Sequence, residues 1–256
     1  PPVVSSAASD VYKRQVAKLS TIAYTSRPDL CFEVKAMSSK YGNATKSDLR
    51  KVQRKIILVK ADSDSVMIYP KMDNIEDWVL VGHGDAGIKS MPDRMTSVGG
   101  RVILLCNRKT GAAAILSWQS KKLRRKVTSS LAGECYSMIG VIGELVYTKA
   151  VLAQIYGQRI QEVPCVVVTD CKNLYEAVHS TSMVEDMWLI TDIASIKDAL
   201  ESKEVTEIQR VPSERMIANC LTKAGASGEE LMTILKTGKY TIPQNWLKNV
   251  KRKSEI

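Results

Sequence analysis

Three acidic residues stand in company where acids are unusual. Asp85 lies in the apolar run "WVLVGHGDAG", with Gly84 and Gly87 close on either side. Glu134 sits in the small and apolar stretch "SSLAGECYSMIG", and Asp170 closes the valine run of "PCVVVTDCKNLYEAV". Taken singly, each has an ordinary explanation: a strand-end acid, a first-turn acid favoured by the helix dipole, a helix N-cap. Brought together, three carboxylates repel unless cations lie between them. Hard divalent ions with oxygen ligands, Mg²⁺ above all, meet that need. Such ions can clamp a phosphodiester, activate a water and steady the leaving oxygen. The chemistry on offer is metal-assisted phosphodiester hydrolysis, provided the fold unites the three acids.

The elements around them predict that it does. Cys165 to Val168 reads as a strand buried on both faces, and Leu174, Ala177 and Val178 follow at helical spacing. An acid at the C-terminal end of such a strand lies where α/β sheets hold their ligands. Strands near 78–86, 97–107 and 114–120, with short connections, form an antiparallel meander. Further strands fall near 164–169 and 206–211. Between the meander and the fourth strand runs a long helix that carries Glu134, with Ser129 or Ser130 as cap and Gly157 at its end. "SMVEDMWLITDIASIKDALESK" reads as an amphipathic helix on Met187, Ile190, Ile193, Ile196 and Leu200, and "RMIANCLTKAG" as a last helix closed by Gly225. The expected class is α/β, a mixed five-stranded sheet with helices on both faces. With its first and fourth strands adjacent and the long helix packed across them, Asp85, Glu134 and Asp170 converge.

Upstream, "DLCFEVKAMSSKYG" places Leu30, Val34 and Met37 on one helical stripe stopped by Gly42. "KSDLRKVQRKIILVKAD" is a second helix with Ser47 as cap, and "DSDSVMIYPKMDN" a short strand. These pieces are too few for a domain of their own. Residues 16–75 are read as the tail of a preceding domain, 76–226 as the main domain, and 227–256 as a C-terminal helix and a solvated basic tail. "SSAASDVYKRQ", Ser5 to Gln15, resembles the in-frame translation of a sequencing-library adaptor. Residues 1–15 are accordingly expected to pack against nothing.

The 256 residues carry a net charge of +10, which favours a polyanionic partner. No apolar stretch reads as membrane-spanning, and no membrane partner is expected. Six cysteines with no CxxC pair, and two histidines, make a poor zinc set; they read as buried thiols of an intracellular protein.

Four stretches, "DAGIKSMPDRMTSVGGRVILL", "ILSWQSKKLRRKVTSSLAGE", "VVVTDCKNLYEAV" and "VPSERMIANCLTKAG", together resemble the ribonuclease H domain that ends copia-type retrotransposon polyproteins. "YTSRPDLCFEVKAMSSKYG" with "KSDLRKVQRKIILVKA" resembles the last part of that family's reverse transcriptase, and the likeness spans Thr21 to Ala226. It implies a ribonuclease H-like fold, two Mg²⁺ ions (Mn²⁺ as an alternative), and hydrolysis of the RNA strand of RNA–DNA hybrids. It also implies the rest of a polyprotein as partner, and a cytoplasmic particle or the nucleus as location. Asp85, Glu134 and Asp170 match the family's first three catalytic, metal-binding carboxylates. The fourth position, an Asp in the family, is Asn219 here. Asn keeps an oxygen ligand but loses the charge that helps to hold the second metal.

"KKLRRK" supplies Lys121, Lys122, Arg124, Arg125 and Lys126 as a phosphate-tracking edge, against the plainer reading of a solvated loop. Asn173 could contact sugar or phosphate or cap its helix. Trp118 is read as core packing, and His83 as sharing the strand face of Asp85. Two alternatives compete with a hybrid ribonuclease. A ribonuclease H-like binding module without chemistry draws its support from Asn219. A transposase or integrase core would carry its acids in the order Asp, Asp, Glu, unlike the order here.

Overall fold

The alternation along the meander sends successive side chains to opposite faces, and both faces are apolar. In the computed structural model, which describes residues 5–64, 66–181, 186–243 and 245–247, each face is covered by helices. Strands β1 (Trp78–Gly87), β2 (Val98–Asn107) and β3 (Ala113–Lys122) are the antiparallel meander. Strands β4 (Cys165–Thr169) and β5 (Glu207–Arg210) add to the other side of β1 in parallel, giving the order β3-β2-β1-β4-β5. The expected mixed sheet is present, with every strand end within two residues of its expected place.

Val79 and Val81 of β1, with Val166 and Val168 of β4, face α1 (Ser6–Thr25), α2 (Cys31–Ser38), α3 (Lys46–Ala61) and α7 (Glu229–Thr237). Leu80, Cys165 and Val167 face α4 (Ser130–Tyr156), α5 (Lys172–His179) and α6 (Ile190–Glu201). The upstream helices therefore share one apolar cluster with the sheet. The six cysteines are all unpaired thiols, five of them buried.

Several expectations are corrected. Residues 1–15 do not lie loose: among those described, Ser5 caps α1, and Tyr12 is fully buried with its hydroxyl donating to the Met37 carbonyl at 2.8 Å. Tyr12, Val16, Leu19 and Ala23 form one buried stripe at helical spacing, which the polar composition around them masked. Thr45, not Ser47, caps α3, in a reciprocal capping box with Asp48. The expected strand after α3 is irregular among its described residues, tied by Ile68 N–H to the Leu235 carbonyl; Ser65 lies outside the described residues. Helix α6 starts at Ile190, so Met187 is exposed rather than part of the buried stripe, and 182–185 lie outside the described residues.

No last helix forms over "RMIANCLTKAG". Only the end of one 3-10 turn, Ser213–Arg215, and a second, Asn219–Leu221, appear there, and the irregular backbone brings side chains to the sheet. In the tail, Trp246 and Leu247 are buried, contrary to a wholly solvated reading, and 248–256 lie outside the described residues. Helix α4 is long and apolar enough by length and composition to cross a membrane, contrary to the expectation that no stretch would be. Its N-terminal half lies on the sheet, whereas Tyr147, Val151 and Ile155 of its C-terminal half are exposed.

Candidate active site

Strand β4 lies beside β1 in a parallel register that pairs Leu80 with Cys165 and His83 with Val168. Continued two residues, it sets Asp85 beside Asp170 at the C-terminal edge of the sheet. The glycines around Asp85 serve close approach. A Cβ on Gly84 would lie 2.8 Å from Val141 of α4, and one on Gly87 would collide with the Thr222 carbonyl. Gly84 and Gly87 must stay without a side chain so that a helix and a loop can close on the strand around the acid.

Helix α4 is started by Ser129, whose hydroxyl accepts from Ala132 N–H. That start places Glu134 against the end of β1, where Oε1 accepts the Ala86 N–H at 3.3 Å. Ser137, one turn on, donates to the carbonyls of Asp85 and Gly100 and locks helix to strand. The outcome is a cluster in which carboxylate oxygens of Asp85, Glu134 and Asp170 all lie within 4.8 Å of one another. Asp170 does not cap α5; Cys171 holds that position without a side-chain bond, and Asp170 Oδ2 accepts the Ser213 hydroxyl at 2.6 Å.

Burial and mutual repulsion set the electrostatics. Glu134 is pushed up to about 9, by burial first and then by the charges of Asp85 and Asp170. Burial also raises Asp85, opposed by Lys223 and Thr222. Thr222 donates its hydroxyl to Asp85 Oδ2, and Lys223 Nζ lies 3.2 Å from Oδ1. One oxygen is left over: Glu134 Oε2 is buried and has no hydrogen-bond partner. An orphaned buried carboxylate oxygen on a member of this acidic cluster fits a divalent cation, with Asp85, Glu134 and Asp170 as the residues that could hold it.

Asn219 sits at the start of the 3-10 turn, with Nδ2 donating to the Ser213 carbonyl at 2.6 Å and Oδ1 accepting from Lys223 at 2.9 Å. His83 is not in the carboxylate cluster. It is fully buried against the Tyr240 hydroxyl at 3.1 Å, and burial with the nearby Arg215 lowers its pKa to about 3. Trp118 is partly buried and donates to the Ala23 carbonyl. Asn173 is exposed in the first turn of α5, close in sequence to Asp170.

Of the basic run, Lys121 and Lys122 end β3, while Lys121, Lys122, Arg124 and Lys126 are all exposed. Arg125 is engaged within the chain, its Nη1 donating to both carboxylate oxygens of Asp192 at 2.8 and 2.6 Å, and its guanidinium lies over the Tyr136 ring. Lys121, Lys122, Arg124 and Arg125, but not Lys126, border a cleft of about 430 Å³ with Arg101 and Gln119. Arg101 was not among the residues singled out in the sequence, although a lone cation within the apolar β2 was the available signal. Ser213, Thr222 and Lys223 were also missed as site residues; each stands within a stretch that resembled the family.

No protein-family model and no curated protein matches the chain. Among solved structures it is similar to LC11-RNase H1, isolated from compost by a metagenomic approach, at 15% identity and a TM-score of 0.42, over 60% of this chain and 98% of that one. LC11-RNase H1 in complex with an RNA/DNA hybrid aligns at 17% identity and a TM-score of 0.41, over 56% and 93%. RNase H1 from the halophilic archaeon Halobacterium salinarum NRC-1 aligns at 11% and 0.36, over 56% and 93%.

Proposed function

We propose that this chain is a metal-dependent nuclease that hydrolyses the RNA strand of RNA–DNA hybrids, acting within a retrotransposon reverse transcriptase of copia type. The observation that carries the reading is the orphaned Glu134 Oε2 within an acidic cluster whose oxygens lie inside 4.8 Å of one another. Bound there, Mg²⁺ (or Mn²⁺) would activate a water and offset charge on the phosphodiester oxygens. Asp85 and Asp170, fixed by the register of β1 and β4, supply the shared anionic edge. Glu134 is positioned by Ala86 N–H and would have to give up its proton to hold a cation. Lys121, Lys122, Arg124 and Lys126 face solvent and can follow the phosphates of the hybrid, while Arg125 holds their loop to α6. Asn173 would meet a sugar or phosphate beside Asp170.

In the same reading residues 16–75 are the end of a reverse transcriptase, and 1–15 derive from an adaptor that extends its first helix. A particle or the nucleus would be its location. Asn219 favours one alternative, a binding module of the same fold without chemistry, since the residue that completes the family's acid set is neutral here. Incubation of the whole chain with a labelled hybrid separates the two. The nuclease reading expects Mg²⁺-dependent cutting of the RNA strand alone, abolished by EDTA. Salt-sensitive hybrid binding with no cutting in Mg²⁺ or Mn²⁺ would establish the binding module instead.

A further inference from the structure

Lys223 brings a positive charge into the carboxylate cluster. Its Nζ lies 3.2 Å from Asp85 Oδ1 and 2.9 Å from Asn219 Oδ1. Asn219 is held for that contact: its amide nitrogen donates to the Ser213 carbonyl, which leaves Oδ1 turned to the ammonium. Ser213 in turn donates its hydroxyl to Asp170. The lysine therefore reaches the acids from a short turn that is itself bonded to them.

We propose that Lys223 stands in for one of two cations, so that this site takes a single divalent ion beside a tethered ammonium. The inference rests on the metal reading above. Charge supports it first. Three carboxylates and one ammonium carry two net negative charges, which one divalent ion neutralises. Coordination supports it independently. Both oxygens of Asp85 already accept, from Lys223 and Thr222, and Glu134 Oε1 accepts from Ala86. Glu134 Oε2 remains as a buried oxygen with no hydrogen-bond partner, open to an incoming ion. A second ion at Asp85 would first have to break an ion pair to a fully buried carboxylate. Neutral Asn219 is part of the device. An Asp there would attract the same ammonium and loosen its hold on Asp85.

The test counts ions on the whole chain, by electron paramagnetic resonance of free Mn²⁺ and by calorimetry, with circular dichroism in EDTA to confirm folding. One ion per chain is expected for the unmodified protein and for Lys223→Arg, which keeps the charge. Lys223→Gln should tighten that ion about fivefold, the scale of a partly exposed ion pair. The double variant Asn219→Asp/Lys223→Gln should take two ions. Two ions on the unmodified chain, or an affinity that Lys223→Gln leaves unchanged, would overturn this inference and leave the metal centre standing. No Mn²⁺ bound by any variant would overturn the inference and the nuclease reading together.

Discussion

Asp85 and Asp170 stand side by side because β1 and β4 run parallel in a register that pairs His83 with Val168. A slip of one residue would send Asp170 to the opposite face of the sheet from Asp85, and the cluster would not form. The pair is thus a property of the apolar strands behind it, whose valines and leucines are fully buried.

The first prediction follows from that pairing. Asp170→Asn keeps volume and the capacity to accept the Ser213 hydroxyl, but removes a charge that a cation would need. Cleavage should fall by about 10²–10³ or more, the usual cost of losing one charge-stabilising group. Hybrid affinity, which the proposed reading assigns to the basic surface, should change by less than about threefold. Parallel cleavage and filter-binding assays check both, and equal losses in the two would contradict the assigned role.

A second prediction concerns pH. Glu134 is raised from 4.5 to about 9, so between those values the cation-free folded state keeps a proton that the unfolded chain has released. Stability must then fall as pH rises through that window. Glu134→Gln cannot ionise, and should stabilise the EDTA-treated chain at pH 8 by on the order of 2 kcal/mol, with almost no gain at pH 4. Mg²⁺ should raise the melting temperature of the unmodified chain more than that of the variant. Denaturant titrations at the two pH values decide it.

Most of this geometry was legible in the sequence, and the reasons differ by residue. Cys165 to Val168 announced a strand because β-formers covered on both faces leave no alternation to misread. Glu134 and Asp85 stood out as acids in apolar or glycine-flanked runs. The segment from 212 to 223 was not legible. Met216, Ile217, Ala218 and Leu221 recur at spacings a helix would use, yet they are buried from irregular backbone that also delivers Ser213, Thr222 and Lys223 to the acids. Tyr12 was missed for the opposite reason: its stripe is four residues in a polar run, and only the partner surface of α2 and α3 reveals it as core.

Tyr12 gives a third prediction. Its buried hydroxyl bonds to the Met37 carbonyl, and burial, followed by the nearby charge of Asp48, raises its pKa to about 12. Tyr12→Phe should cost about 1 kcal/mol, the worth of one such hydrogen bond. Tyr12→Ala should cost about 3–5 kcal/mol through cavity formation. Chemical denaturation measures both, and an unchanged Tyr12→Ala variant would show that α1 does not pack on α2.

The basic edge gives a fourth. Lys121→Gln, Lys122→Gln and Arg124→Gln should each weaken hybrid binding and lower the slope of log affinity against log salt by about 0.9 for each phosphate no longer neutralised. Arg125→Gln should behave differently, since that guanidinium is paired with Asp192 and lies over Tyr136. Its main effect should be a small loss of stability, with the salt slope kept. Salt titrations beside thermal melts separate the two classes.

The last prediction turns on Asn219. Its Oδ1 accepts from Lys223, which also lies against Asp85, and its amide nitrogen is bonded to the Ser213 carbonyl. Asn219→Asp replaces a neutral acceptor by a carboxylate of the same shape at 2.9 Å from that ammonium, so Lys223 is drawn toward position 219 and Asp85 Oδ1 is released. The released oxygen and the new carboxylate both add negative charge where a cation would neutralise a phosphodiester. Cleavage in Mg²⁺ should rise, by up to about 10²-fold if the added carboxylate acts as a charge-stabilising group. The loss of the donor to Ser213 should cost about 1 kcal/mol of stability, small enough for the variant to fold. Combining Asn219→Asp with Asp170→Asn should return activity to background, because the added carboxylate cannot replace the one at the end of β4. Should Asn219→Asp leave a cleaving chain no faster, the neutral residue would not be what limits it. Should neither version cleave while both still bind the hybrid in a salt-sensitive way, the fold would be a binder of hybrids without chemistry.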